Sequence, residues 1–85
     1  MKRRYSLNWK PAATKALTEA WLRSSDRSAL ARLINDIDAQ LAVAPNAVGE
    51  SRTGAERICV HGKVSVSFEV LEADCRVDVL AVRIR

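Results

Sequence analysis

The sequence predicts one small α+β domain, a helical hairpin packed on an antiparallel-rich sheet in the order β-α-α-β-β-β. Three observations predict it. Residues 4–9 alternate polar and apolar side chains. Residues 13–41 carry apolar side chains at three- and four-residue spacing in two blocks. Residues 57–84 return to a two-residue period broken by tight turns.

In the first strand, Tyr5, Leu7 and Trp9 share one side, with Arg4, Ser6 and Asn8 on the other. Pro11 suits the first turn of a helix, where its missing N–H costs nothing. Ala13, Ala16, Leu17, Ala20 and Trp21 then mark an amphipathic helix ending near Arg23, with Trp9 and Trp21 expected in the core. Ser24, Ser25 and Asp26 break that helix and offer a cap for the next. Leu30, Leu33, Ile34, Ile37 and Leu41 give the second helix its apolar stripe, and Pro45-Asn46 stops it. The short link between the helices predicts an antiparallel hairpin.

Residues 47–55, with Gly49 and Gly54, read as an irregular loop. A strand over Arg57–His61 follows, with Ile58 and Val60 taken as its buried side. Gly62-Lys63 permits only a hairpin return. Val64, Val66, Phe68 and Val70 then line one face, and residues 72–74 turn the chain into a last strand, 76–84, that reads as apolar on both faces. The open face of the middle strands is thus expected to carry Arg57, Cys59, His61, Ser65, Ser67 and Glu69.

With 85 residues, the chain forms a single domain over residues 1–85 with a thin core. Its 48% hydrophobic and 28% charged residues are ordinary for a folded domain and argue against disorder. The net charge of +4, with most cations arginine, favours an anionic partner such as nucleic acid or an acidic protein. A basic start with no apolar segment after it is not a signal peptide, and no apolar run approaches the roughly 20 residues that span a bilayer. A cytoplasmic protein with Cys59 and Cys75 reduced is therefore expected, without membrane attachment. Two cysteines and one histidine make no persuasive metal site, so neither metal nor cofactor is expected.

The strand ending in Trp9-Lys10-Pro11-Ala12-Ala13, the helical hairpin, Val48-Gly49-Glu50-Ser51-Arg52 leading to Arg57-Ile58, Phe68-Glu69-Val70 and Val79-Leu80-Ala81-Val82 together resemble the RelE/ParE superfamily of bacterial toxins. The resemblance spans the whole chain. It implies the toxin of a type II toxin–antitoxin pair, of the kind linked to plasmid stabilisation, neutralised by a cognate antitoxin. Its target would be translating messenger RNA on the ribosome (an RNA-binding mRNA interferase) or DNA gyrase. RelE-like cleavage implies no metal: an RNA 2′-hydroxyl attacks the adjacent phosphate, which requires a base, an acid and cations.

Matched by position, Arg57 stands early in the second strand where the RelE-like pattern has a basic residue, and Arg83 or Arg85 matches a later one. Cys59 and Ser65 occupy two further positions that are basic in that pattern. His61 and Glu69 are the candidate acid and base, with Arg57, Arg83 and Arg85 as candidate cations. Arg52 and Lys63 are candidate contacts to nucleic acid or target, and Lys2, Arg3 and Arg4 read as a solvated terminus. Two other classes remain open. One is a catalytically degenerate toxin fold that binds protein or RNA without chemistry, and the other a small nucleic-acid-binding domain. Assembly as a homo-oligomer or as a toxin–antitoxin complex is equally compatible with the residues.

Overall fold

A computed structural model of the chain describes residues 4–51 and 54–84. Strand β1 (Ser6–Trp9) leads into helices α1 (Pro11–Arg23) and α2 (Arg27–Val43). Strands β2 (Glu50–Ser51), β3 (Glu56–His61), β4 (Val64–Leu71) and β5 (Arg76–Ile84) follow, with single 3-10 turns at Pro45–Ala47 and Glu72–Asp74. All five strands form one sheet in the order β1-β5-β4-β3-β2. β1 runs parallel to β5, and every other pair is antiparallel. The expected α+β architecture is present with one strand more than expected. β2 lies inside the segment read as an irregular loop, and two residues are too short to display a period.

The hairpin link is closed by local side chains. Asp26 accepts from the Ala29 amide at 3.0 Å, capping α2. The Arg27 guanidinium donates to the carbonyls of Trp21 (3.0 Å) and Leu22 (3.4 Å) in the last turn of α1, where the Trp21 carbonyl also accepts from the Ser24 amide at 3.3 Å. Leu30, Ile34, Ile37 and Leu41 of α2 are buried with Ala13 of α1 against Cys59, Val64, Val66, Phe68, Val77, Val79 and Val82 of the sheet. Phe68 is wholly enclosed, which is worth about 3 kcal/mol for a side chain of that size. Trp9 packs against this core, whereas Trp21 is 37% exposed. At 100° per residue Trp21 stands about 80° round the helix from Ala13, at the edge of the buried stripe and not within it.

Strand register decides which side chains meet the helices. Cys59 pairs with Val66, Ile58 with Ser67 and Val60 with Ser65. Arg57, Cys59 and His61 therefore share the helix-facing side with Val64, Val66 and Phe68, and Ile58 and Val60 turn to the open face. This reverses the assignment expected for β3. Cys59 takes the core position in place of Ile58 and Val60 because a free thiol packs as a small hydrophobe. On β5 the pairing steps from Ser67↔Ala81 to Phe68↔Val79, leaving Leu80 as the extra residue of a bulge. The bulge keeps Val77, Val79, Val82 and Ile84 all on the helix side. The other side of β5 carries Arg76, Asp78, Ala81 and Arg83, so this strand is not apolar on both faces.

Gly49 has φ +73°, and a Cβ there would collide with the Ile58 carbonyl oxygen, so the chain enters β2 on a residue without a side chain. Both cysteines are free; Cys59 is buried and Cys75, at φ 49°, is half-buried. Among the described residues no helix is long and apolar enough to cross a membrane. Arg4 is exposed, and Lys2 and Arg3 lie outside the described residues.

Candidate functional site

The face of the sheet turned away from the helices is the candidate site. A cavity of about 480 Å³ lies on it, lined by Ile58, Ser65, Ser67, Ala81, Val82 and Arg83. Arg83 is exposed and stands opposite Ser65. Ser67 donates to Glu56 Oε2 at 3.3 Å. Glu56 and Glu69 face each other across β3 and β4, an arrangement of like charges that a sheet tolerates poorly without compensation.

Toward β1 the same face holds a polar cluster that the sequence reading passed over. Asp78 is 6% exposed, yet it points away from the core. It accepts from Asn8 Nδ2 (3.0 Å) and Arg76 Nε (3.0 Å), and Lys10 Nζ lies 3.6 Å from its second oxygen. The Asn8 hydrogen bond, followed by that of Arg76 and the two cationic charges, outweighs burial and holds the Asp78 carboxyl below the usual carboxylate range. An acid inside Val77-Asp78-Val79 was the available signal. A strand that buries an aspartate must supply its partners from neighbouring strands.

The sequence-predicted residues do not converge. Glu69 and Arg83 reach the open face, but Glu69 aligns with Asp78 and Arg83 with Ser65. Four residues along β4 separate their backbone positions by about 13 Å at roughly 3.3 Å per residue, so the two are not cross-strand neighbours. Arg57 sits on the helix side, where its guanidinium donates to the carbonyls of Val48 (3.2 Å) and Gly49 (3.1 Å) and to Ser51 Oγ (3.0 Å). It ties the 48–51 segment to β3. His61 also sits on the helix side, with Nε2 3.5 Å from the Asp36 carboxylate of α2. Lys63 occupies the β3–β4 turn and lines a different cavity. Arg52 and Arg85 lie outside the described residues.

Two further groups are perturbed away from this face. Burial pushes the Asp38 carboxyl up, opposed by a hydrogen bond from Trp9, and its Oδ1 is the one buried side-chain oxygen without a partner among the described residues. Burial likewise raises the Cys59 thiol, so that it stays protonated and unreactive. Among the described residues no group of three His, Cys, Asp or Glu side chains could hold a metal ion. Charge on the open face is close to balanced. Glu50, Glu56, Glu69 and Asp78 stand against Lys10, Arg76 and Arg83.

No protein-family model matches the sequence, and no curated protein does. Solved structures do match. The RelBE2 toxin–antitoxin complex of Mycobacterium tuberculosis aligns with a TM-score of 0.80 at 17% identity, over 98% of this chain and 93% of that one. A chromosomal ParDE toxin–antitoxin system of P. aeruginosa aligns at 0.70 and 19% identity, over 95% and 96% of the two chains. TrmO from P. aeruginosa aligns at 0.61 and 19% identity, covering 93% of this chain but 33% of that one. The same arrangement of elements thus occurs within a longer protein, and fold alone selects no activity. End-to-end alignment with chains of the two toxin–antitoxin structures, together with the helical hairpin on a mixed five-stranded sheet, shows that the chain has a RelE/ParE-like fold.

Proposed function

We propose that this chain is the toxin of a toxin–antitoxin pair, that it arrests growth by binding a protein target, and that a cognate antitoxin neutralises it. Near-complete two-way coverage by toxin–antitoxin structures supports the toxin role. Exposed Trp21, Leu22, Val43 and Val60 supply apolar surface of the kind that protein partners cover.

The dispersal of the candidate catalytic groups favours binding over RNA cleavage. In-line attack by a 2′-hydroxyl needs a base, an acid and cations around one phosphate. Here Arg57 is occupied by backbone carbonyls on one side of the sheet, and Arg83 stands about 13 Å along the other side from Glu69. Gyrase is the target of choice on this reading, and ribosomal messenger RNA the alternative.

Tightly induced expression of the chain alone is the test. Growth arrest with a DNA-damage response and with intact messenger RNA is expected, reversed by co-expressing the antitoxin. Cleaved messenger RNA at arrest moves the mechanism to the ribosome. Unimpaired growth with abundant soluble protein sinks the toxin reading and leaves a non-enzymatic binding module.

A further inference from the structure

A second cavity lies at the opposite end of the fold from the Asp78 cluster, where the tip of the helical hairpin meets the β3–β4 turn. It encloses about 330 Å³ between Ala20, Arg23, Ser24, Ser25, Leu30, Lys63 and Ile84, at the small end of the range of ligand cavities, about 300–1,000 Å³. Its walls divide by chemistry. Ala20, Leu30 and Ile84 are apolar, whereas Arg23, Lys63 and two serines make the rest. Neither Arg23 nor Lys63 lies within ion-pair distance of a carboxylate among the described residues. Among the described residues Arg23 has a single weak bond, to the Glu19 carbonyl at 3.4 Å. Ser24 Oγ already accepts from the Asp26 amide, at 3.2 Å, which leaves its proton to donate. Two cations without ion-pair partners among the described residues therefore line one cavity, while the open sheet face is nearly neutral.

We propose that this hairpin-tip cavity binds a nucleoside 5′-phosphate. Arg23 and Lys63 hold the phosphate, which suits a guanidinium fork beside a point charge. The serine hydroxyls donate to the remaining phosphate oxygens, and the apolar wall formed by Ala20 and Ile84, with the buried Leu30 behind them, receives the nucleoside. A purely inorganic anion leaves that wall unused, and an uncharged nucleoside leaves both cations unpaired. The inference does not rest on the toxin reading, because it draws on a different part of the molecule. The phosphate can come from a free nucleotide or from the 5′ end of an oligonucleotide, and the test separates these sources.

An NMR titration of the isotope-labelled full chain with uridine 5′-monophosphate reads both affinity and location. Saturable shifts are expected at the amides of Ser24, Ser25 and Lys63, with uridine binding at least tenfold more weakly. Arg23→Gln and Lys63→Gln each weaken binding about tenfold, the loss typical of a charged hydrogen bond, in variants whose spectra report a retained fold. Ala20→Met fills the apolar wall and abolishes nucleotide binding while inorganic phosphate still shifts the same amides. Tighter binding of a 5′-phosphorylated than a 5′-hydroxyl hexanucleotide, and tighter than the mononucleotide, identifies a nucleic-acid end as the source. The reverse order identifies a free nucleotide. Equal affinity for uridine and its monophosphate, unchanged binding by both charge variants, or shifts confined to Ser65, Ser67 and Arg83 each overturn the proposal.

Discussion

Cys59 stands directly opposite Val66 on the helix-facing side of the β3–β4 ladder, and that single pairing separates Arg57 and His61 from Glu69 and Arg83. Because side chains alternate along a strand, fixing one pair fixes the side of every residue in β3. Cys59 is 5% exposed and its neighbour Val60 56%. Replacing Cys59 with Ser buries a hydroxyl in apolar surroundings and is expected to cost about 1–3 kcal/mol. Val60→Ser is expected to change stability by no more than about 0.5 kcal/mol. Urea denaturation of the two variants checks the register, and the opposite ranking contradicts it.

Gly49 and Gly54 both have positive φ, but only Gly49 has backbone where a side chain would go. Gly54→Ala is expected to cost about 1 kcal/mol for the left-handed conformation alone. Gly49→Ala must also displace the Ile58 carbonyl and is expected to exceed that by at least about 1 kcal/mol, detaching β2. Thermal unfolding of the pair, with hydrogen exchange at β2 and β3, measures the difference.

Arg57 and Arg83 separate structural from functional arginine. Arg57→Ala removes three hydrogen bonds to the 48–51 segment and is expected to lower stability by about 1–3 kcal/mol. Arg83→Ala leaves stability within about 0.5 kcal/mol of wild type, since the side chain is exposed. If the open face contacts the target, Arg83→Ala relieves growth arrest at undiminished protein level. Relief by Arg57→Ala accompanied by lower soluble protein reports folding instead. Side-by-side growth curves and immunoblots distinguish the two.

Two aspartates give opposite pH signatures. The lowered pKa of Asp78 contributes stability that is complete above the ordinary value of 3.8 and is lost as pH falls through the folded-state value. Asp78→Asn is therefore expected to lose less stability than wild type between about pH 4 and pH 2. The raised pKa of Asp38 works the other way: the folded state holds its proton more tightly, so stability falls as pH rises through the window above 3.8. Asp38→Asn is expected to gain modestly at neutral pH, less than the shift alone implies because solvent reaches the group. That gain vanishes below about pH 4. Denaturant midpoints across pH 2–7 check both signs.

The helices were legible from residue spacing because their apolar stripe recurs over several turns, and α1 and α2 begin and end within a residue or two of where Pro11, Arg23, Asp26 and Pro45 place them. The β3–β4–β5 meander was legible from alternation and the Gly62-Lys63 turn. What escaped had specific causes. β2 is too short for a period, and Leu80 shifts the parity of β5 by one position. Cys59 sits where a polarity count points it the wrong way. The Asp78 cluster draws on residues some seventy positions apart, so no local pattern in Asn8-Trp9-Lys10 announces it. Site residues depend on register and on long-range pairing, and a two-residue period carries neither.

The parallel pairing of β1 with β5 sets a timetable for biosynthesis. Among the described residues β1 has its strand partner in β5, so Leu7 and Trp9 wait for Val77 and Val79 to be translated. Until then α1 lacks β5, the strand it packs against most extensively. Contacts this distant in sequence form slowly and late. A nascent chain interrupted before residue 76 therefore exposes an unclosed edge and an unroofed core, the state that proteases recognise. Premature termination would thus yield clearance in place of partial activity, and the sheet reaches its working shape only after β5 has left the ribosome.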